Sequence, residues 1–165
     1  MLNAKELVAR GIITGPITED NIAQHGIDLN VIRISKISDL SIGAVYAKEK
    51  TILPDYEIVP WVEGSNLWVL EPGMYDIVFA QGCDIPSDQM LLMRQRSSLL
   101  RCGAFICSNV YDAGFRTSNL GTMLTVMHPI TIEYNARIAQ IYNHQATPVD
   151  NLYNGQWQND SQRAR

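Results

Sequence analysis

Two short runs of this chain hold most of the residues that could do chemistry. The first is Arg94-Gln95-Arg96-Ser97-Ser98-Leu99-Leu100-Arg101. Two adjacent hydroxyls between guanidinium groups offer many hydrogen-bond donors and one positive field, which suits a triphosphate. An exposed strand end carrying ordinary surface arginines would have the same composition. The second run is Asn109-Val110-Tyr111-Asp112-Ala113-Gly114-Phe115-Arg116. Asp-x-Gly is a common turn signal. Yet Asp112 is the only acid between Asp88 and Glu133. A carboxylate so isolated can orient or deprotonate a water molecule. Phe115 could wall a sugar or a base, or simply fill the core. A third feature, Gly26-Ile27-Asp28-Leu29, sets a carboxylate at a strand start. There it could hold water on a metal ion or close a turn.

The charge distribution agrees with an anion site. The chain of 165 residues carries a net charge of −4, which argues against a nucleic-acid polymer as partner. Every lysine lies at or before Lys50. From Gln89 to Val149 the bases are Arg94, Arg96, Arg101, Arg116 and Arg137, against Asp112 and Glu133 alone. A planar guanidinium binds phosphate oxygens in pairs, which an ammonium cannot do. Random drift in a short chain gives the same excess.

These residues need a scaffold. Length, 46% hydrophobic content and 18% charged content fit one domain with a real core. Asn3 to Arg10 reads as a short capped helix ended by Gly11, and Thr18-Glu19-Asp20 as a second helix start. The rest reads as strands: 27–34, 57–62, 67–70, 75–80, 89–94, 104–107, 122–127, 130–134 and 137–142, with turns at Glu71-Pro72-Gly73-Met74 and His128-Pro129. Many short strands without strand-helix alternation point to a sandwich or barrel-like β fold. The β domain is expected to span 1–149. After Val149 the chain turns polar, so 150–165 is read as an arm that is flexible or orders against something else.

Several chemistries are excluded. The chain has no P-loop, no Gly-x-Gly-x-x-Gly opening a helix, no zinc-deaminase signature and no Gly-x-Ser-x-Gly elbow. His25, His128 and His144 lack ligand-like spacing. Three scattered cysteines suit a reducing compartment, and the charged N-terminus does not read as a secretory signal. A cytoplasmic location is expected, with no membrane partner.

Taken in order, Gly26-Ile27-Asp28-Leu29, Leu70-Glu71-Pro72-Gly73, Arg96-Ser97-Ser98, Asp112-Ala113-Gly114-Phe115, Arg137-Ile138-Ala139-Gln140 and Tyr153-Asn154-Gly155 resemble the dUTPase/dCTP deaminase family. The resemblance covers nearly the whole chain and is closest to the deaminase-like branch that also contains dUTPases. It implies a mainly β fold, a distorted β-barrel or jelly roll with a short N-terminal helix, and a homotrimer with sites between subunits. It further implies that Arg96, Ser97, Ser98 and Arg101 contact phosphates, with Arg101 acting in catalysis, and that Asp112 lies beside the sugar and the attacking water. Phe115 would pack near the deoxyribose, disfavouring a ribose 2′-hydroxyl. Arg116 would help bind substrate, and Thr125 and Val126 would read the base through backbone groups. Tyr153 would contact phosphate as the arm closes, and Asp28 would sit near the water shell of Mg2+.

The family's deaminases carry a glutamate on the strand after the Asp-x-Gly-aromatic turn. Here that stretch is Leu120-Gly121-Thr122-Met123-Leu124-Thr125-Val126-Met127, without an acid. Loss of ammonia from a pyrimidine needs proton transfers at the ring. The expectation is therefore hydrolysis of dUTP to dUMP and pyrophosphate, which would limit uracil incorporation into DNA and supply dUMP. A dCTP deaminase, mono- or bifunctional, and a non-catalytic nucleotide-sensing trimer are the alternatives. The arm also departs from the family, which usually has a lysine and more glycine there. Gln156 and Trp157 stand instead. Trp157 could stack on the base, close the lid, or anchor the arm on a neighbouring subunit.

Overall fold

The computed structural model describes residues 1–159. The end of the expected arm, residues 160–165, lies outside the described residues. The chain opens with α1 (Ala4–Ala9), β1 (Ile13–Thr14) and a 3-10 turn (Glu19–Asn21). It continues through β2 (Ile27–Ile37), β3 (Tyr56–Ile58), β4 (Leu67–Leu70), β5 (Gly73–Phe79), β6 (Gly82–Asp84) and β7 (Gln89–Gln95). Then follow α2 (Ser97–Arg101), β8 (Ala104–Ile106), β9 (Asn109–Tyr111), β10 (Arg116–Thr117), β11 (Gly121–Val126), β12 (Ile130–Glu133) and β13 (Arg137–Gln145). No helix among the described residues is long and apolar enough to cross a membrane.

Local sequence explains the N-terminus. Asn3 caps α1 with its side chain on the Glu6 N–H, and Glu6 returns the bond to the Asn3 N–H at 2.8 Å. That reciprocal pair satisfies two of the helix's orphan donors. The second expected helix is only one 3-10 turn. Ile22 adopts extended backbone, and the chain enters β2 five residues later.

The large sheet runs β8-β11-β5-β2-β13-β7-β9, with β3 added on β2. A three-stranded sheet, β1-β6-β10, and the β12-β4 pair complete the fold. Alternation assigns the core. In β7 the residues Gln89, Leu91 and Met93 point inward, and in β11 Thr122, Leu124 and Val126 do so. Phe79, Leu29, Ile77 and Ile141 are fully buried and join one cluster with the α1 residue Leu7.

The sheet curls until its far ends meet. β9 and β11 stand near opposite ends of the strand order. Yet Tyr111 donates its hydroxyl to the Gly121 carbonyl at 3.1 Å, and the Asn109 amide donates to the same oxygen at 3.2 Å. The Thr122 hydroxyl donates back to Asn109 Oδ1 at 3.1 Å. Side chains thus close a seam that main-chain ladders leave open. The mainly β, barrel-like architecture agrees with the sequence expectation.

Three details differ from that expectation. The strand expected at 57–62 stops at Ile58, because Pro60 has no N–H to give a ladder and Val62 folds back to the Leu67 carbonyl at 2.8 Å. The turn before β5 is only Glu71-Pro72, since Gly73 already pairs with Val126. The Ser97–Arg101 run is a helix with Arg96 as its N-cap residue, not a strand end.

Cys83 on β6 is 1% exposed. Burial pushes its thiol up to about 12, opposed by a hydrogen bond with the Thr117 backbone and helped by the Asp84 charge. The thiolate is the reactive form. At neutral pH Cys83 should therefore resist a thiol reagent in the native protein and react only after unfolding. Mass-spectrometric mapping of the adduct checks this, and native labelling of Cys83 would contradict the placement of β6.

Candidate active site

Asp112 stands where the chain passes from one sheet to the other. β9 belongs to the large sheet and β10 pairs with β6 in the small one. The four residues between them form a tight turn closed by the Phe115 N–H on the Asp112 carbonyl at 3.1 Å. Gly114 takes φ +86°, which a residue with a Cβ adopts only with strain. The turn is fastened below by Ile85, which accepts from the Gly114 N–H at 2.8 Å and donates to the Phe115 carbonyl at 3.1 Å.

This geometry sends the Phe115 ring inward and the Asp112 side chain outward. Phe115 lies 5.6 Å from Tyr111 and 5.4 Å from Tyr153, the latter edge-on. Asp112 is exposed, and its carboxylate makes no hydrogen bond or ion pair within the described residues.

A cleft of about 260 Å³ opens along the seam between β9 and β11. Its walls include Tyr111, Phe115, Tyr153 and Trp157, with Asp112 as the one carboxylate among its described lining residues. The size and aromatic lining suit the flat part of a small ligand. Asp112 and Tyr153 also border an adjoining hollow of about 560 Å³, which has Ser87, Gln89 and Met90 on its other side. The carboxylate therefore stands on a wall shared by two spaces. Neither space has an arginine, lysine or histidine among its described lining residues.

The described part of the arm folds back over this turn. The Tyr153 N–H donates to the Ala113 carbonyl at 2.8 Å. Gln158 accepts from the Arg116 N–H at 2.9 Å and donates to the Gly114 carbonyl at 2.7 Å. Gln158 had no sequence signal beyond being an amide among aromatics. One amide can donate and accept at once, which suits docking on a backbone turn.

The other expected site residues lie elsewhere in the single chain. Ser97, Ser98 and Arg101 are exposed on α2 and line neither space. Arg96 reaches back into the fold. Its Nε lies 3.1 Å from Asp28 Oδ2, and Nη1 donates to the Arg137 carbonyl at 3.1 Å. Asp28 is 5% exposed, and its other oxygen accepts from the Gln140 amide at 3.0 Å. Both oxygens of the carboxylate expected beside a metal's water shell are thus engaged by protein. Arg116 pairs with Asp84 at 3.0 Å on the surface. Thr125 and Val126 are placed away from the cleft. Both have strand partners on either side, β5 and β8, and Val126 is 2% exposed. Leu120 and Gly121, at the start of the same strand, line the cleft instead.

The description dCTP deaminase-like fits residues 3–146 as a family match. The chain belongs to this family. It is 35% identical over 139 residues to the deoxyuridine 5′-triphosphate nucleotidohydrolase of Methanocaldococcus jannaschii, covering 84% of this chain and 88% of that one. It is 33% identical over 149 residues to the probable deoxyuridine 5′-triphosphate nucleotidohydrolase of Methanosarcina mazei, covering 87% and 84%. The solved 2′-deoxycytidine 5′-triphosphate deaminase of Agrobacterium tumefaciens shares the fold with a TM-score of 0.63 at 16% identity. That match covers 86% of this chain and 46% of the deaminase. The family match spans the first five of the short motifs, from Gly26 to Gln140, and ends before Tyr153-Asn154-Gly155.

The turn supplies a test of the arm's position. A Cβ on Gly114 would lie 2.6 Å from Leu152 Cβ and 3.0 Å from the Tyr153 nitrogen, at a positive φ. Gly114→Ala should cost about 1–2 kcal/mol in backbone strain alone. It should also dislodge the arm, seen as much faster chymotryptic cleavage at Tyr153 and Trp157. Unchanged cleavage would mean that the arm does not rest on the turn.

Proposed function

We propose that this chain is a dUTP diphosphatase that hydrolyses dUTP to dUMP and pyrophosphate as a homotrimer, limiting uracil incorporation into DNA and supplying dUMP. The observation that carries the reading is Asp112, an exposed and unengaged carboxylate between an aromatic-walled cleft and a neutral hollow. The names of the two archaeal relatives support it. In this reading the base and deoxyribose enter the cleft, with Phe115 against the sugar and Trp157 beside the base. Asp112 orients a water and takes its proton as the water oxygen bonds to the α-phosphorus. The bond from the α-phosphorus to the bridging oxygen breaks, and pyrophosphate leaves.

The phosphates need cations that the described lining of one chain does not hold. The reading assigns them to Arg96, Ser97, Ser98 and Arg101 at α2 of a neighbouring copy, so each site is shared. These donors stabilise charge on the phosphates. Arg96 suits the task because Asp28 and the Arg137 carbonyl hold its inner edge, leaving the outer donors of the fork free to bind. Magnesium, when bound with the nucleotide, would supply charge that offsets that of the phosphates. Among the described residues no cluster of three His, Cys, Asp or Glu side chains could cage an ion. Asp28 would turn toward the ion's waters by releasing Arg96 or Gln140.

Deamination is disfavoured by what is missing: the stretch 120–127, where the resemblance puts the deaminases' acid, holds none, and the residues of it that line the cleft are Leu120 and Gly121.

Asp112→Asn should fold and bind dUTP but lose turnover by roughly 100-fold or more, the usual scale for a general base. Near-normal turnover in that variant would sink the assignment. Mixed oligomers test the shared site. Co-refolding equal amounts of Asp112→Asn and Arg101→Ala chains should restore activity to about a quarter of wild type, because random association pairs intact halves at that frequency. No recovery would place both residues in one chain's site.

A further inference from the structure

Between β2 and β3 the chain leaves the barrel for residues 38–55, an excursion laced by its own backbone. The Ser38 N–H donates to the Asp55 carbonyl at 2.9 Å, and Ala44 and Ile52 exchange two bonds of 2.8 and 2.9 Å. The Asp55 N–H donates to Ser41 Oγ at 2.7 Å. In extended chain, successive residues turn their main-chain groups to opposite edges. Those of Ile52 face Ala44, so those of Thr51 face away.

The side chain of Gln156 takes both. The Thr51 N–H donates to Gln156 Oε1 at 3.0 Å, and Gln156 Nε2 donates to the Thr51 carbonyl at 2.7 Å. The amide plays the part of a missing strand residue. Only a group that both donates and accepts can do so, and a carboxylate at this position would set its oxygens against the Thr51 carbonyl. The next residue, Trp157, lines the cleft, and its N–H donates to Tyr153 Oη at 3.3 Å. Gln158 then fastens to the Gly114 turn. The tryptophan is held between two amide anchors, one on the turn and one on the excursion.

We propose that Gln156 is a positioning residue that sets Trp157 as a wall of the nucleotide cleft by docking the arm on Thr51, which makes the excursion 38–55 a structural part of the site. The nucleotide in this statement rests on the proposed function, whereas the docking does not. The two are tested separately on the full-length protein.

The first measurement is amide exchange without nucleotide. In Gln156→Ala and Gln156→Glu the Thr51 amide should exchange roughly tenfold faster, because its bond opens without global unfolding. The Ala44 and Ile52 amides should keep their protection, showing that the excursion itself is intact. An unchanged Thr51 amide in both variants would overturn the docking. The second measurement is kinetic. With dUTP, Gln156→Ala should raise KM roughly tenfold while kcat stays within about twofold, the pattern of lost binding without lost chemistry. A fall in kcat at constant KM, or no change in either, would overturn the positioning role. If wild-type protein does not hydrolyse dUTP, the proposed reaction fails, and Thr51 exchange still decides the docking.

Discussion

The seam between β9 and β11 is the constraint on which the site depends. Neither strand pairs with the other through its backbone. Tyr111 and Asn109 instead converge on the carbonyl of Gly121, and Thr122 closes the loop of bonds on Asn109. Buried polar groups left without these partners would each cost on the order of 1–3 kcal/mol. The seam therefore holds the curled sheet shut while leaving a cleft along its length. Asp112 follows Tyr111 directly, so the group that closes the barrel also aims the carboxylate. The same economy appears at Phe115, whose ring packs on Tyr111 and forms part of the cleft wall.

Charge is distributed in a complementary way. The cleft and the adjoining hollow hold one described acid and no described base, while Ser97, Ser98 and Arg101 of α2 face outward on another part of the chain. A triphosphate would be poorly held by either part alone. In the proposed homotrimer, bringing the two together between copies would give an anion site beside a lone carboxylate, and each copy would repeat it by symmetry. Within one chain, Asp28 prepares its half of that arrangement. It is buried, and the Gln140 amide steadies the oxygen that Arg96 leaves. Removing Arg96 would leave the buried Asp28 carboxylate with the Gln140 amide in place of an ion pair. Asp28 thus holds the inner edge of Arg96 within the single chain.

Much of the fold was legible because it rests on local rules. The capping box at Asn3 and Glu6, and the alternation in β7, β11 and β13, each act over a few residues. The Asp-x-Gly turn was legible for the same reason. Long-range geometry was not. Nothing in the sequence says that β9 and β11 meet, so the cleft fell at Leu120 and Gly121 rather than at Thr125 and Val126. α2 was hidden because a five-residue helix has no periodicity to detect. The docking of Gln156 on Thr51 spans 105 residues and uses a backbone partner that no side-chain pattern announces.

The central claim is that water attacks phosphorus rather than the pyrimidine ring. Incubating the wild-type protein with magnesium and, in turn, dUTP, dCTP, dTTP or UTP, and measuring pyrophosphate and ammonia together, tests it most directly. The account predicts pyrophosphate from dUTP and no ammonia from dCTP. Ammonia released from dCTP, or tight nucleotide binding with neither product, would contradict it.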